Sequence, residues 1–133
     1  MKPTGSKDPL GVRRQLIGVL RILRERKLNA ALGPLLVIGA GGVLIEIFSE
    51  RSVVLPPVTR SSARVVLARL RLGAVLAGAR GQRPDDLDAI ADAITGLSEL
   101  AADLGDVLDA LDINPLICGP SGAVAADVLA VTR

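Results

Sequence analysis

Asp112, Asn114 and Asp127 are the residues of this chain whose types and spacing best suit chemistry. The first two lie in Leu111-Asp112-Ile113-Asn114-Pro115-Leu116, and the third follows the tight turn Gly119-Pro120-Ser121-Gly122. Pro at the second position and Gly at the fourth suit a type I turn. Asn114 and Asp127 stand equidistant from the Pro120–Ser121 bond, so a simple hairpin around it sets them opposite each other. Side chains alternate along a strand, so Asp112, Asn114 and Asp127 then share one face. Cross-strand neighbours there lie roughly 4.5–5.5 Å apart at Cβ. Three oxygen-bearing side chains around one small volume are what a hard cation such as Mg²⁺ takes. The reading depends on register, because a one-residue slip or a bulge separates the polar residues. The same residues also allow a plainer account, with Asn-Pro as a turn dipeptide and Asp112 as a solvated strand end.

The opposite face of that hairpin carries Ile113, Ile117, Val124, Ala126 and Val128, which are expected to be buried. Further elements must support it. Leu35-Leu36-Val37-Ile38, Val43-Leu44-Ile45 and Ser52-Val53-Val54-Leu55 read as short strands, the last ended by Pro56-Pro57. Ser61 or Ser62 is placed to cap a helix bearing Val65, Val66, Leu67 and Leu70. Pro84, Asp85 and Asp86 open the clearest helix, favourable against the positive end of its dipole. Leu87, Ile90, Ile94, Leu97, Ala101 and Leu104 form its apolar stripe, and Gly105 stops it. Residues 1–10 are expected to be disordered. Residues 11–31 read as a basic amphipathic helix, with Leu16, Ile17, Leu20 and Leu23 at helical spacing among arginines. Residues 32–133 then form the main domain. Strands and helices alternate, so the fold class is α/β or α+β, a small mixed sheet with packed helices.

Composition narrows the function. The 133 residues suffice for one modest domain, burying about two-thirds of its unfolded surface. Phe48 is the one aromatic residue, so base-stacking platforms for single-stranded nucleic acid are excluded. The chain has no histidine, which removes His-based acid–base chemistry, Ser-His and Cys-His pairs and His-ligated zinc. Cys118 is alone; a reducing, cytoplasmic setting is expected. Arginines crowd the first quarter while Asp85 to Asp112 is acidic, as two solvated helix faces of opposite sign would be. That acidic half argues against a nucleic-acid partner. The uncharged stretch Leu28–Ile45 is broken by Gly33-Pro34 and by Gly39-Ala40-Gly41-Gly42, which favours short strands over a transmembrane segment.

Gly33-Pro34-Leu35-Leu36-Val37-Ile38-Gly39-Ala40-Gly41-Gly42-Val43-Leu44-Ile45-Glu46 resembles the central segment of the ATP-grasp domain of NDP-forming acyl-CoA synthetases. These include ADP-forming acetate–CoA ligases and are relatives of succinyl-CoA synthetase β subunits. Matches follow in the same order: Leu55-Pro56-Pro57, Gly78-Ala79-Arg80-Gly81 with Pro84 and Asp88, the Asp112 segment, and Gly122-Ala123-Val124-Ala125-Ala126-Asp127. The resemblance covers Gly33 to Val131 and corresponds to the C-terminal half of that domain. It implies Mg²⁺ and ATP or ADP as cofactors. Asn114 and Asp127 would sit at the Mg²⁺ on the nucleotide phosphates, with Asp112 as an acidic neighbour. Phosphoryl transfer rests on positioning and charge neutralisation, and Mg²⁺ takes only one or two protein oxygens, so this pair suffices.

The turn of Gly39, Gly41 and Gly42 either brings backbone to a phosphate or serves a tight turn needing positive φ. Glu46 matches an acidic family position near the site, or is an exposed strand-end carboxylate. Arg80 matches a family arginine and contacts phosphate or a partner, or else forms a helix-connecting salt bridge.

The departures are equally informative. The upstream half with its lysine-bearing strand and nucleotide clamp has no counterpart before Gly33, where the chain's lysines are Lys2, Lys7 and Lys27. The CoA-binding part is missing, and a chain without histidine cannot carry the phosphohistidine relay. The resemblance therefore implies a second chain or domain that supplies these. Family members often carry Arg where Val54 and Leu129 stand; each loss removes about 1–3 kcal/mol of phosphate affinity if the arginine makes a charged hydrogen bond. The reading is part of an acyl-CoA synthetase (carboxylic acid, CoA and ATP interconverting with acyl-CoA, ADP and phosphate) that is incomplete on its own. Its rival is a non-catalytic interaction module that has lost nucleotide binding.

Overall fold

Short β-branched and leucine-rich runs between glycine and proline breaks become strands, and the one long three-four spacing becomes a helix. The computed structural model describes residues 15–16, 19–23, 33–40, 50–78, 84 and 86–132. In chain order these form β1 (Gln15–Leu16), β2 (Val19–Leu23), β3 (Leu35–Gly39), β4 (Arg51–Val54), α1 (Arg60–Arg69), α2 (Arg71–Leu76) and α3 (Leu87–Leu104). There follow β5 (Leu108–Ile113), β6 (Leu116–Gly119), β7 (Gly122–Ala125) and β8 (Val128–Thr132). A five-stranded sheet runs β4-β3-β2-β5-β8, and a three-stranded sheet runs β1-β6-β7. Every pairing is antiparallel. The fold is the expected combination of strands with packed helices, built on two antiparallel sheets rather than one mixed sheet.

The segment expected as a basic helix over residues 11–31 is strand where it is described. β2 pairs with β3 on one side and with β5 on the other, at the centre of the five-stranded sheet. Leu20-Arg21-Ile22 alternates in residue type as well as fitting the helical spacing of Leu16, Leu20 and Leu23. Two waiting strand edges decide between those patterns, since tertiary pairing overrides local propensity. The domain boundary placed at residue 32 moves upstream with it. Residues 1–10 and the expected strand Val43-Leu44-Ile45 lie outside the described residues.

One face of the sheet meets the helices. Leu36 and Ile38 of β3, Leu111 of β5, and Leu116 and Cys118 of β6 bury against Ala63, Leu67, Leu72, Leu76, Ile90, Ile94, Leu97 and Ala101. α3 shows the expected stripe, although Leu104 at its end is exposed. Its cap is Asp86, whose carboxylate accepts from Ala89 N at 3.0 Å. Gly105 ends it in right-handed helical backbone. A Cβ at Gly105 would meet Ala101 O at 2.7 Å and Pro34 Cγ at 3.2 Å, so close approach fixes the glycine.

α1 is capped by Thr59 rather than by Ser61 or Ser62: Ser62 N donates to Thr59 Oγ1 at 3.1 Å. Val58 N donates to the buried Ser98 Oγ at 2.6 Å and pins the loop after Pro57 to α3. Ion pairs join α1 to α3. Arg60 grips both carboxylate oxygens of Asp92 at 2.6 and 2.7 Å, and Arg64 reaches Asp88 at 2.6 Å. Among the described residues no helix is long and apolar enough to cross a membrane.

Candidate functional site

The turn at Pro120-Ser121 sets a register that persists for ten residues on either side. β6 and β7 pair from Gly119↔Gly122 to Leu116↔Ala125. Ala126 N then donates to Pro115 O at 3.0 Å, and Asn114 N to Asp127 O at 3.1 Å. β5 and β8 continue from Ile113↔Val128 to Ala110↔Val131. Asn114 and Asp127 are therefore opposite each other, as the symmetry about the Pro120–Ser121 bond requires. The ribbon nevertheless changes sheets between them and the turn, because Pro115 offers no N–H to continue the ladder.

That change overturns the expected apolar face. Leu111, Leu116 and Cys118 are buried, while Ile113 and Ile117 are half-buried. Val124, Ala126 and Val128 are exposed, Val124 at 48% and Val128 at 51%. Odd-numbered Leu111 faces the core on β5 and even-numbered Leu116 and Cys118 on β6, so strict alternation fails across the junction. β8 also lies at the outer edge of its sheet, exposed along its whole length.

Tracing register across the five-stranded sheet gives two rows on the face turned away from Leu36, Ile38 and Leu111. One row holds Val53 of β4, Val37 of β3, Asp112 of β5 and Leu129 of β8. The next row on this face, two residues further along each strand, holds Arg51, Gly39, Asn114 and Asp127; the last two follow the register one step beyond Ile113↔Val128. Asp112, Asn114 and Asp127 thus fall on one face. Asn114 and Asp127 are exposed. Asp112 is half-buried with Oδ1 shielded from solvent.

Gly39 is also in this row, but as the last residue of β3 rather than in a turn. It is buried, and a Cβ there would lie 3.2 Å from Glu50 O and 3.3 Å from Arg51 Cγ. Gly41, Gly42, Glu46 and Arg80 lie outside the described residues.

Leu129 and Val54 separate in the structure. Leu129 is 63% exposed in the Asp112 row. Val54 pairs with Leu36 and packs against the core from the opposite face. Arg51 was missed by that reading, because nothing in the sequence sets the β3–β4 register that brings it beside Gly39. Among the described residues no three His, Cys, Asp or Glu side chains gather as a metal cage.

The chain belongs to the ATP-grasp family, whose domain it matches over residues 22–131. The relatives it matches include ADP-forming acyl-CoA ligases. It is 33% identical over 119 residues to the β subunit of acetate–CoA ligase (ADP-forming) I of Pyrococcus furiosus, covering 90% of this chain and 47% of that subunit. It is 31% identical over 96 residues to 4-hydroxybutyrate–CoA ligase (ADP-forming) of Nitrosopumilus maritimus, covering 72% of this chain and 14% of that protein.

Among solved structures it superposes with TM-score 0.79 and 25% identity on the dinucleotide-forming acetyl-coenzyme A synthetase 1 of Ca. Korarchaeum cryptofilum, in complex with coenzyme A and Mg-AMPPCP. That match covers 92% of this chain and 55% of the other. A Pyrococcus horikoshii protein gives TM-score 0.77 and 27% identity, over 92% of this chain and 50% of that one. The chain spans about half the length of the β subunits it matches.

Proposed function

We propose that this chain supplies the wall of an ADP-forming acyl-CoA ligase site that holds Mg²⁺ on the phosphates of ATP or ADP. The observation that carries the reading is the pairing of Asn114 with Asp127 through a 3.1 Å backbone hydrogen bond, with Asp112 on the same face. The donor set fits the ion: a side-chain carbonyl oxygen and a carboxylate oxygen in exposed positions leave room for the waters Mg²⁺ retains. Asn114 and Asp127 would hold the ion, and Asp112, half-buried beside them, would add negative charge behind it. When bound, Mg²⁺ neutralises phosphate charge and fixes the phosphate oxygens.

The remaining parts, the nucleotide clamp, the CoA site and the phosphohistidine segment, are assigned to a second chain or domain. The relatives support this, since two of them are β subunits and this chain spans under half of each. A cytoplasmic setting accords with the lone buried Cys118.

Calorimetry with Mg-ATP and Mg-ADP tests the reading. Heat of binding that disappears in Asn114→Ala and in Asp127→Ala supports it. No heat at millimolar nucleotide leaves the isolated chain as a non-binding interaction module.

A further inference from the structure

We infer that Arg51 is a phosphate-contacting residue of this same site, reaching the polyphosphate from the opposite end of the Asn114–Asp127 row; the inference rests on the Mg²⁺–phosphate reading above. Arg51 opens β4 and pairs with Gly39 at the rim of the sheet. Gly39 has no side chain, and the place its Cβ would take lies 3.3 Å from Arg51 Cγ. The arginine stem therefore leans over Gly39, inward from the edge strand. Arg51 is exposed. Arg60 and Arg64 are held by Asp92 and Asp88, whereas Arg51 enters no ion pair among the described residues.

The distances suit a di- or triphosphate. Three strand spacings, about 14 Å in all, separate the backbones of Arg51 and Asn114, and the inward lean of the arginine shortens that gap to the scale of a polyphosphate chain. Guanidinium pairs bidentately with phosphate oxygens, the geometry that a site with a cation at one end needs at the other. Exposed Leu129, in the neighbouring row, supplies no charge to this face, so Arg51 supplies it from the other edge of the sheet.

The test uses the full chain with Mg-pyrophosphate and Mg-ADP as probes, in wild type, R51Q, R51K, N114A and the double variant R51Q/L129R, with melting curves taken without ligand. R51Q is expected to weaken both probes about ten- to hundredfold, R51K to lose less, and L129R to restore binding in the R51Q background, with ligand-free melting unchanged throughout. R51Q binding as tightly as wild type while N114A does not overturns the role of Arg51 and leaves the metal reading standing. Loss in R51Q with N114A unaffected keeps Arg51 as an anion contact and overturns the metal reading. A loss in R51Q that comes with a lowered melting temperature and no rescue by L129R assigns Arg51 a structural role and overturns the inference. Absence of binding by the wild-type chain overturns both.

Discussion

The backbone N–H of Asn114 donates to the carbonyl of Asp127 at the point where the closing ribbon passes from one sheet to the other. Below it the strands belong to the sheet of β1, and above it to the sheet centred on β2. A ribbon free to slip at this junction would put Asn114 and Asp127 on different faces, because a one-residue shift inverts every side chain. Two bonds hold it: this one, and that from Ala126 N to Pro115 O at 3.0 Å. The main chain thus fixes the spacing of the two side chains without any bound ion.

Removal of metal is accordingly expected to leave the fold intact. EDTA should not lower the melting temperature of the chain, because no described cage of ligands depends on the ion. Mg-ADP at a hundred times its dissociation constant should add about 2.7 kcal/mol, and ADP with EDTA should add almost none. Melting curves in the three conditions check this. A clear drop with EDTA alone, or equal protection by metal-free ADP, counts against the Asn114–Asp127 site.

Gly96 and Gly73 should respond to alanine with opposite signs. Gly96 lies exposed inside α3, and a Cβ there meets nothing within 4 Å. Gly96→Ala is expected to stabilise by about 0.5–1 kcal/mol through helix propensity. At the α1–α2 corner a Cβ on Gly73 would overlap Leu67 O and press on Leu67 C at 3.2 Å. Gly73→Ala should cost about 1–3 kcal/mol, as overpacking does. Urea midpoints of the two variants decide, and a stabilised Gly73→Ala chain would show that the corner yields.

The parts legible in the sequence were those decided locally. The turn at Pro120-Ser121, the strand at Leu35–Ile38 and the stripe of α3 each follow from residues within a few positions of one another. The β2 strand was not legible, since Leu20 and Ile22 fit two periods and the choice rests on partners at positions 35–39 and 110–113. The buried face of the ribbon failed for a related reason. Alternation is a property of one flat strand, and the switch from Leu111 to Leu116 and Cys118 arises where the ribbon changes sheets. Arg51 carried no signal at all, because its place beside Gly39 is a long-range register.

Ser98 is a buried polar residue with one clear task. Its hydroxyl accepts from Val58 N at 2.6 Å, forty residues away in sequence, and neither group reaches solvent. Ser98→Ala leaves a buried N–H without an acceptor, which costs about 1–3 kcal/mol. Chemical denaturation should show a lower midpoint with an unchanged slope, since the exposed surface on unfolding is the same. An unaltered midpoint would mean that the loop after Pro57 finds another acceptor.

The Arg60–Asp92 contact should make stability depend on acid. The hydrogen bond from Arg60 holds the Asp92 carboxyl below the usual carboxylate range, and the same bond raises the Arg60 guanidinium. A carboxylate with a depressed folded pKa contributes stability that is fully present above its unfolded pKa and is lost as pH falls through the folded one. The raised guanidinium loses its share only at extreme alkaline pH, so the acid limb is the one to measure. Both side chains are largely exposed, so the effect is modest and screened by salt. Asp92→Asn should melt below wild type at neutral pH. The gap should close as the pH drops below about 4, the unperturbed aspartate value, and should narrow at neutral pH in 1 M salt. A gap that stays constant down to the acid limit would show that Asp92 acts through packing on α3 rather than through its charge.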